Sequence, residues 1–292
     1  MKVSTAGWLF AAPAVAVIAV FFGFPVMAAF ALSLTDFDIY ALANIDNLRF
    51  VGLDNYLGLL RTPLFWKALT NTLYFVGVGV PLSIVVSLGA AVLLHSRLGR
   101  FKPLFRTAYF APVVTTVVAV AVIWRYLVDT RSGLVNWALS GIGIDPVDWL
   151  GDPNWAMPTI IGFAVWKNFG YNMIIFLAGL QAIPEELYEA ARIDGASRWR
   201  QFLHVTLPML GPVLLLVVII TLAGYFQLFA EPYVMTQGGP LQSTVSVLYL
   251  MYEEGFKWWN LGNASAVAFL LFVLMSVVTI GLLWLARRRG IE

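Results

Sequence analysis

Apolar residues in this chain are gathered into long runs, with little of the alternation of a half-buried strand or the spaced stripe of a surface helix. The runs fall at about Trp8–Leu34, Thr72–Leu94, Ala108–Val128, Pro158–Leu180, Leu207–Phe229 and Ala264–Ala286. Each holds the ~20 residues that an α-helix needs to cross roughly 30 Å of hydrocarbon. Strands of a membrane barrel would be shorter and would alternate, so a barrel is rejected. The pattern predicts an all-α polytopic membrane protein with six transmembrane helices. The first run exceeds the roughly 7–15 apolar residues of a secretory signal, and only Lys2 precedes it as a charge, so it reads as a retained span. Prolines inside runs, such as Pro25 and Pro81, are tolerable in lipid because neighbouring helices and hydroxyls can satisfy the freed carbonyls.

Composition agrees with this reading. The chain has 292 residues, 60% hydrophobic and 12% charged, whereas a soluble domain carries about 25% charged residues. Too few charges remain to cover a soluble globule. With no cysteine, a disulfide scaffold and a thiol enzyme are excluded, and a net charge of +2 argues against nucleic acid as a partner. The distribution of charge orients the spans. Arg97, Arg100, Lys102 and Arg106 occupy the second connection without an acid, and Arg287, Arg288 and Arg289 close the chain. By the positive-inside rule these segments face the cytoplasm, and both termini lie there. The connection Gln181–Thr206, with Arg192, Arg198 and Arg200, is then cytoplasmic too. Residues 1–292 contain no internal repeat and no insert of soluble-domain size, and they are read as a single transmembrane domain.

The fourth connection is long, charged and full of helix signals. Pro184 suits a first helical position, and Glu185 and Glu186 follow where the helix dipole favours acids. A short helix should run to about Asp194. Gly195 supplies the positive φ needed to leave it, Ser197 caps a second helix, and Pro208 stands just inside the fifth span. The result is a helical elbow outside the membrane, with small residues Ala190 and Ala191 on one face and carboxylates at Glu189 and Asp194. On physical grounds alone, a solvated loop and a docking surface are equally open.

The residues then narrow the choice. Glu189-Ala190-Ala191, three residues, Gly195, nine residues, and Val205-Thr206-Leu207-Pro208 resembles the EAA signature of binding-protein-dependent ABC importer permeases, with Val205 in place of its isoleucine. The likeness extends to Phe24-Pro25, to Leu32–Phe37, to Phe50–Tyr56, to Ala68–Thr72 and to Thr236-Gln237-Gly238-Gly239-Pro240, which are similar to the carbohydrate-uptake branch of that family. The resemblance implies that residues 181–208 are a coupling loop, with Glu189, Ala190, Ala191, Asp194, Gly195 and Pro208 as its ATPase-coupling residues. It also implies a cytoplasmic ATPase dimer, a second homologous permease, an extracytoplasmic solute-binding protein, and the bacterial plasma (inner) membrane as location.

The chain itself carries no Walker loop for ATP phosphates, and His95 and His204 stand alone in separate connections. We therefore expect no catalytic residue, metal or cofactor in it, and ATP and Mg on the partner ATPase. An ionisable residue inside a span is a functional hypothesis by default, and Lys167 lies in span four beside Trp166, Asn168, Tyr171 and Asn172. Span five adds Thr221, Tyr225 and Gln227, with Glu231 at its outer end. Aromatic faces with amides and hydroxyls suit a sugar. The substrate candidates are Trp166, Lys167, Asn168, Tyr171, Thr221, Tyr225 and Gln227, and the competing reading is polar glue between helices. Lys167 is open to two roles, pairing with a partner carboxylate or anchoring an acidic sugar. Tyr252, Trp258 and Trp259 read as an interfacial belt or a contact for the binding protein, and Arg125 as reaching for the outer interface. An ion-coupled secondary transporter is the alternative function.

Overall fold

The computed structural model describes residues 5–95, 102–288 and 290, so Lys2, Arg97, Arg100 and Arg289 lie outside the described residues. The described chain is α-helical, with an isolated antiparallel bridge between Thr35 and Phe50. Four helices are each long and apolar enough to cross a membrane: Gly7–Ser33, Pro63–His95, Pro153–Gln181 and Leu261–Arg288. Two further crossings are bent pairs, Lys102–Val114 with Val117–Leu127 at 102° and Arg198–Met209 with Gly211–Phe226 at 69°. Counting each pair as one span, the described helices give six.

The apolar runs show neither bend, and both have local causes. In the third span, Pro112 lacks an amide hydrogen and is followed by a β-branched run from Val113 to Val118, which weakens the helix. Thr115 turns its hydroxyl back onto the Pro112 carbonyl at 2.6 Å, and Thr116 is extended with ψ 135°. In the fifth span, Pro208 follows a π-turn over Phe202–Thr206, and the helix restarts at Gly211 with Pro212 in its first turn. That span ends at Phe226, so Gln227 and Glu231 lie beyond it, the latter in a short helix Ala230–Met235.

The second and fourth spans begin earlier than their apolar runs, at Pro63 and Pro153. Asp152 caps the latter by accepting the Asn154 amide at 2.8 Å. The fourth span is also the most enclosed: 67% of its apolar window is buried, against none of the first span's. Its Met173, Phe176, Leu177 and Leu180 pack with Ala91 and Leu94 of the second span and Leu210 and Val217 of the fifth. In lipid such contacts are selected by fit, because acyl chains are as apolar as the side chains.

The chain forms two compact units. One comprises the chain up to Trp66 with Leu250–Leu274. There the first span's open carbonyls are tied down by the Phe50–Tyr56 segment: Asn55 donates to the Ser33 and Thr35 carbonyls at 2.8 Å each, and the Tyr56 and Ser33 hydroxyls meet at 2.6 Å. The Arg49 amide and guanidinium bond the Asp36 carboxylate at 2.7 and 2.8 Å and hold its pKa below the usual carboxylate value. The second unit, Lys67–Tyr249 with the chain from Met275 onward, contains the bent pairs, the fourth span and the elbow.

Candidate functional site

The elbow forms as a helix over Glu185–Ile193. Pro184 stands one position earlier than expected, at the N-cap, leaving Glu185 and Glu186 in the first turn. At the other end Gly195 has φ +74°, its amide donates to the Arg192 carbonyl at 3.1 Å, and the Ala196 amide reaches the Ala191 carbonyl at 2.9 Å. This pair of bonds is a Schellman cap, which needs the left-handed conformation that glycine adopts without cost from a Cβ. A Cβ on Gly195 would meet nothing within 4 Å, so the requirement within this chain is conformational and not steric. Ser197 caps the next turn through the Arg200 amide. The Tyr188 and Thr206 hydroxyls, 3.0 Å apart, fasten the elbow helix to the start of the fifth span.

Glu189 and Asp194 are exposed, and Glu189 touches only the fringe of Arg192, at 3.8 Å, while Arg192 bonds Glu185 at 3.0 Å. Such exposed pairs stabilise little. Ile193 is 87% exposed beside them, and Ala190 and Pro208 are exposed as well, whereas Ala191 is half-buried. The elbow thus presents small, apolar and acidic groups at exposed positions.

A cavity of about 290 Å³ opens between the second, third, fourth and fifth spans. Asn168, Tyr171 and Asn172 line it from the fourth span, Thr221 and Tyr225 from the fifth, and Gln227 and Glu231 from the segment after the fifth. Asn168 and Tyr171 are three apart and Thr221 and Tyr225 four apart, spacings that put each pair on one helix face. Asn172 donates to Thr221 at 2.8 Å, binding the two helices, and lies 3.4 Å from the Ser83 hydroxyl. The Tyr225 ring packs on Phe75 with centroids 5.0 Å apart. A Cβ on Gly79 would fall 2.8 Å from that ring, so glycine there makes room for Tyr225. The Tyr225 hydroxyl is buried at the cavity wall, beside the side chains of Ser83 and Asn168.

Two expected ligands are turned elsewhere. Lys167 is buried and donates to the Val113 carbonyl at 3.1 Å, where the third span breaks. It caps the carbonyl end of a half-helix, a position that favours a cation. Trp166 packs its ring 5.4 Å from Trp124 and 6.4 Å from Phe163. Neither side chain lines the cavity. Arg125 lines a second polar cavity with Asp129, Asp148 and Gln237.

Sequence reasoning missed the second span's contribution. Phe75 and Gly79 belong to an apolar run and carry no polar mark, although the spacing of Asn71, Thr72, Gly79 and Ser83 was available as a signal. Asn71 donates to the Gln242 and Val245 carbonyls at 2.9 Å each, and the Thr72 hydroxyl accepts the Val247 amide at 3.0 Å. These bonds fasten the loop that carries Thr236–Pro240. The Ser246 hydroxyl donates to the Leu228 carbonyl, linking the same loop to the segment holding Gln227 and Glu231.

A polar cavity walled by membrane-length helices, two of which are joined by an exposed elbow, defines a solute permease. Residues 65–291 match the model of the family described as binding-protein-dependent transport system inner membrane component. The lactose transport system permease protein LacF of Rhizobium radiobacter is 38% identical over 97% of this chain and 94% of its own. The trehalose/maltose transport system permease protein MalF of Thermococcus litoralis is 37% identical over the same shares. A chain of a bacterial ABC transporter involved in the import of the acidic polysaccharide alginate superposes with a TM-score of 0.79 at 25% identity, covering 96% of both chains. The chain belongs to the binding-protein-dependent transport system inner membrane component family. It is a permease subunit of an ABC importer, a transport component and not an enzyme.

Proposed function

We propose that this chain, as a single permease domain, forms half of the path for a carbohydrate. A second homologous permease supplies the other half, and an extracytoplasmic binding protein delivers the cargo. The energy comes from a cytoplasmic ATPase dimer, which holds ATP and Mg. Relatives named for lactose, for trehalose and maltose and for arabinooligosaccharides favour a sugar. The observation that carries the reading is the cavity itself. Asn168, Asn172, Thr221 and Gln227 offer amides and hydroxyls, while Tyr171, Tyr225 and Phe75 offer ring faces for the C–H side of a pyranose. Trp166 and Lys167 serve as the wall that holds this arrangement, and they do not touch the cargo.

In the same reading the elbow docks in the ATPase. Glu189 and Asp194 contribute carboxylates to that contact, Ala190 and Ala191 permit close approach, Gly195 sets the exit of the chain, and Pro208 begins the path back into the span. The elbow joins two of the spans that line the cavity, so a rigid-body shift of the docked helix reaches the cavity directly. The test is reconstitution in proteoliposomes with the partner permease, the ATPase and the binding protein. ATP-dependent uptake of a saccharide held by that binding protein is expected. Uptake driven by an ion gradient in this chain alone, or cargo confined to amino acids, would overturn the proposal.

A further inference from the structure

We propose that the cavity discriminates by charge: it admits saccharides without a carboxylate and turns away uronates, with the Glu231 carboxylate as the discriminating group. The inference rests on the cavity being the place where the solute crosses. Among the described residues that line it, Glu231 is the acid and none is a lysine or arginine. The cation of the fourth span, which an acidic sugar would need, is already committed. Lys167 is buried with its ammonium 3.1 Å from the Val113 carbonyl. Burial raises the pKa of Glu231, and the attraction of Lys167 for that carboxylate opposes the rise and favours the ionised form.

Glu231 is placed by structure and not by a freely moving tail. It sits in the first turn of Ala230–Met235, next to a segment pinned by the bond from Ser246 to the Leu228 carbonyl. A carboxylate in a poorly hydrated cavity accepts strong hydrogen bonds from sugar hydroxyls. It repels a second carboxylate, because attraction and repulsion both grow as the effective dielectric constant falls. The amides of Asn168 and Gln227 can bond a neutral sugar from the other sides, but they supply no charge to balance a uronate.

The experiment uses the absence of native cysteine in the chain. Gly224→Cys places a thiol in the cavity at a position where a Cβ meets nothing within 4 Å. In the assembled complex, the rates of modification by anionic sulfonatoethyl and cationic trimethylammonioethyl methanethiosulfonate are compared with their rates on a free thiol, the unsubstituted complex serving as blank. The normalised rate is expected to favour the cation several-fold, and Glu231→Gln to abolish or reverse that preference, because it leaves Lys167 without its counter-charge. Modification without charge preference, or a preference that survives Glu231→Gln, would overturn the inference and leave the sugar path standing. Failure of a neutral methyl methanethiosulfonate to reach the thiol would instead remove the open cavity, and with it the reading on which the inference rests.

Discussion

Lys167 illustrates how a charge can persist in a span for the sake of the fold. Its ammonium satisfies a carbonyl that the break after Pro112 leaves open, so its removal should act on stability more than on recognition. Lys167→Met is expected to cost about 1–3 kcal/mol through the orphaned carbonyl, read as a lower thermal midpoint of the purified complex. An unchanged midpoint with altered sugar uptake would return the lysine to the ligand list. Gly79→Ala should push the Tyr225 ring from its seat on Phe75 and lower uptake several-fold while insertion is unaffected. At this scale the sequence was partly legible. Helical spacing brings Asn168 with Tyr171 and Thr221 with Tyr225. Trp166, two positions from Asn168, points away around the helix. Lys167 shares the edge of the lining stripe with Tyr171, and only the third span's bend, invisible in hydropathy, shows why its head turns aside.

Among the elements, the elbow carries the clearest signals because caps are local chemistry. Gly195 and Ser197 mark the end of one helix and the start of the next, and the structure places both there. The bends in the third and fifth spans were hidden for the opposite reason: Val, Thr and Pro contribute to an apolar run whether the backbone continues or breaks. At the elbow, Gly195→Asp should strain the left-handed turn by roughly 1–2 kcal/mol and set a side chain on the docking face. The permease should insert normally, but ATP hydrolysis should no longer drive uptake. Gly195→Asn, which tolerates positive φ better, should be milder in its effect on the turn. Normal uptake in a Gly195→Asp, Glu189→Ala double variant would refute the coupling role.

For the whole molecule, the six crossings followed from counting apolar residues, while the way the loops are anchored did not. The bonds from Asn71 and Thr72 to the loop after the fifth span join residues more than 170 positions apart, beyond the reach of any local pattern. Orientation is an expectation that labelling can settle. Ser197→Cys should resist an impermeant maleimide applied to intact cells. Phe256→Cys, at an exposed site, should react, and it is a better probe than the neighbouring Gly255, which is buried against Ala264. Labelling of the first with silence of the second would invert the topology. The central claim, that the cavity in this chain is the sugar path, is tested most directly by uptake rates of four single variants, Asn168→Ala, Tyr171→Ala, Tyr225→Ala and Gln227→Ala, in the reconstituted complex. The account predicts strongly reduced uptake, largest for Tyr171→Ala, with basal ATP hydrolysis and the affinity of the binding protein retained. Wild-type uptake in all four would contradict it.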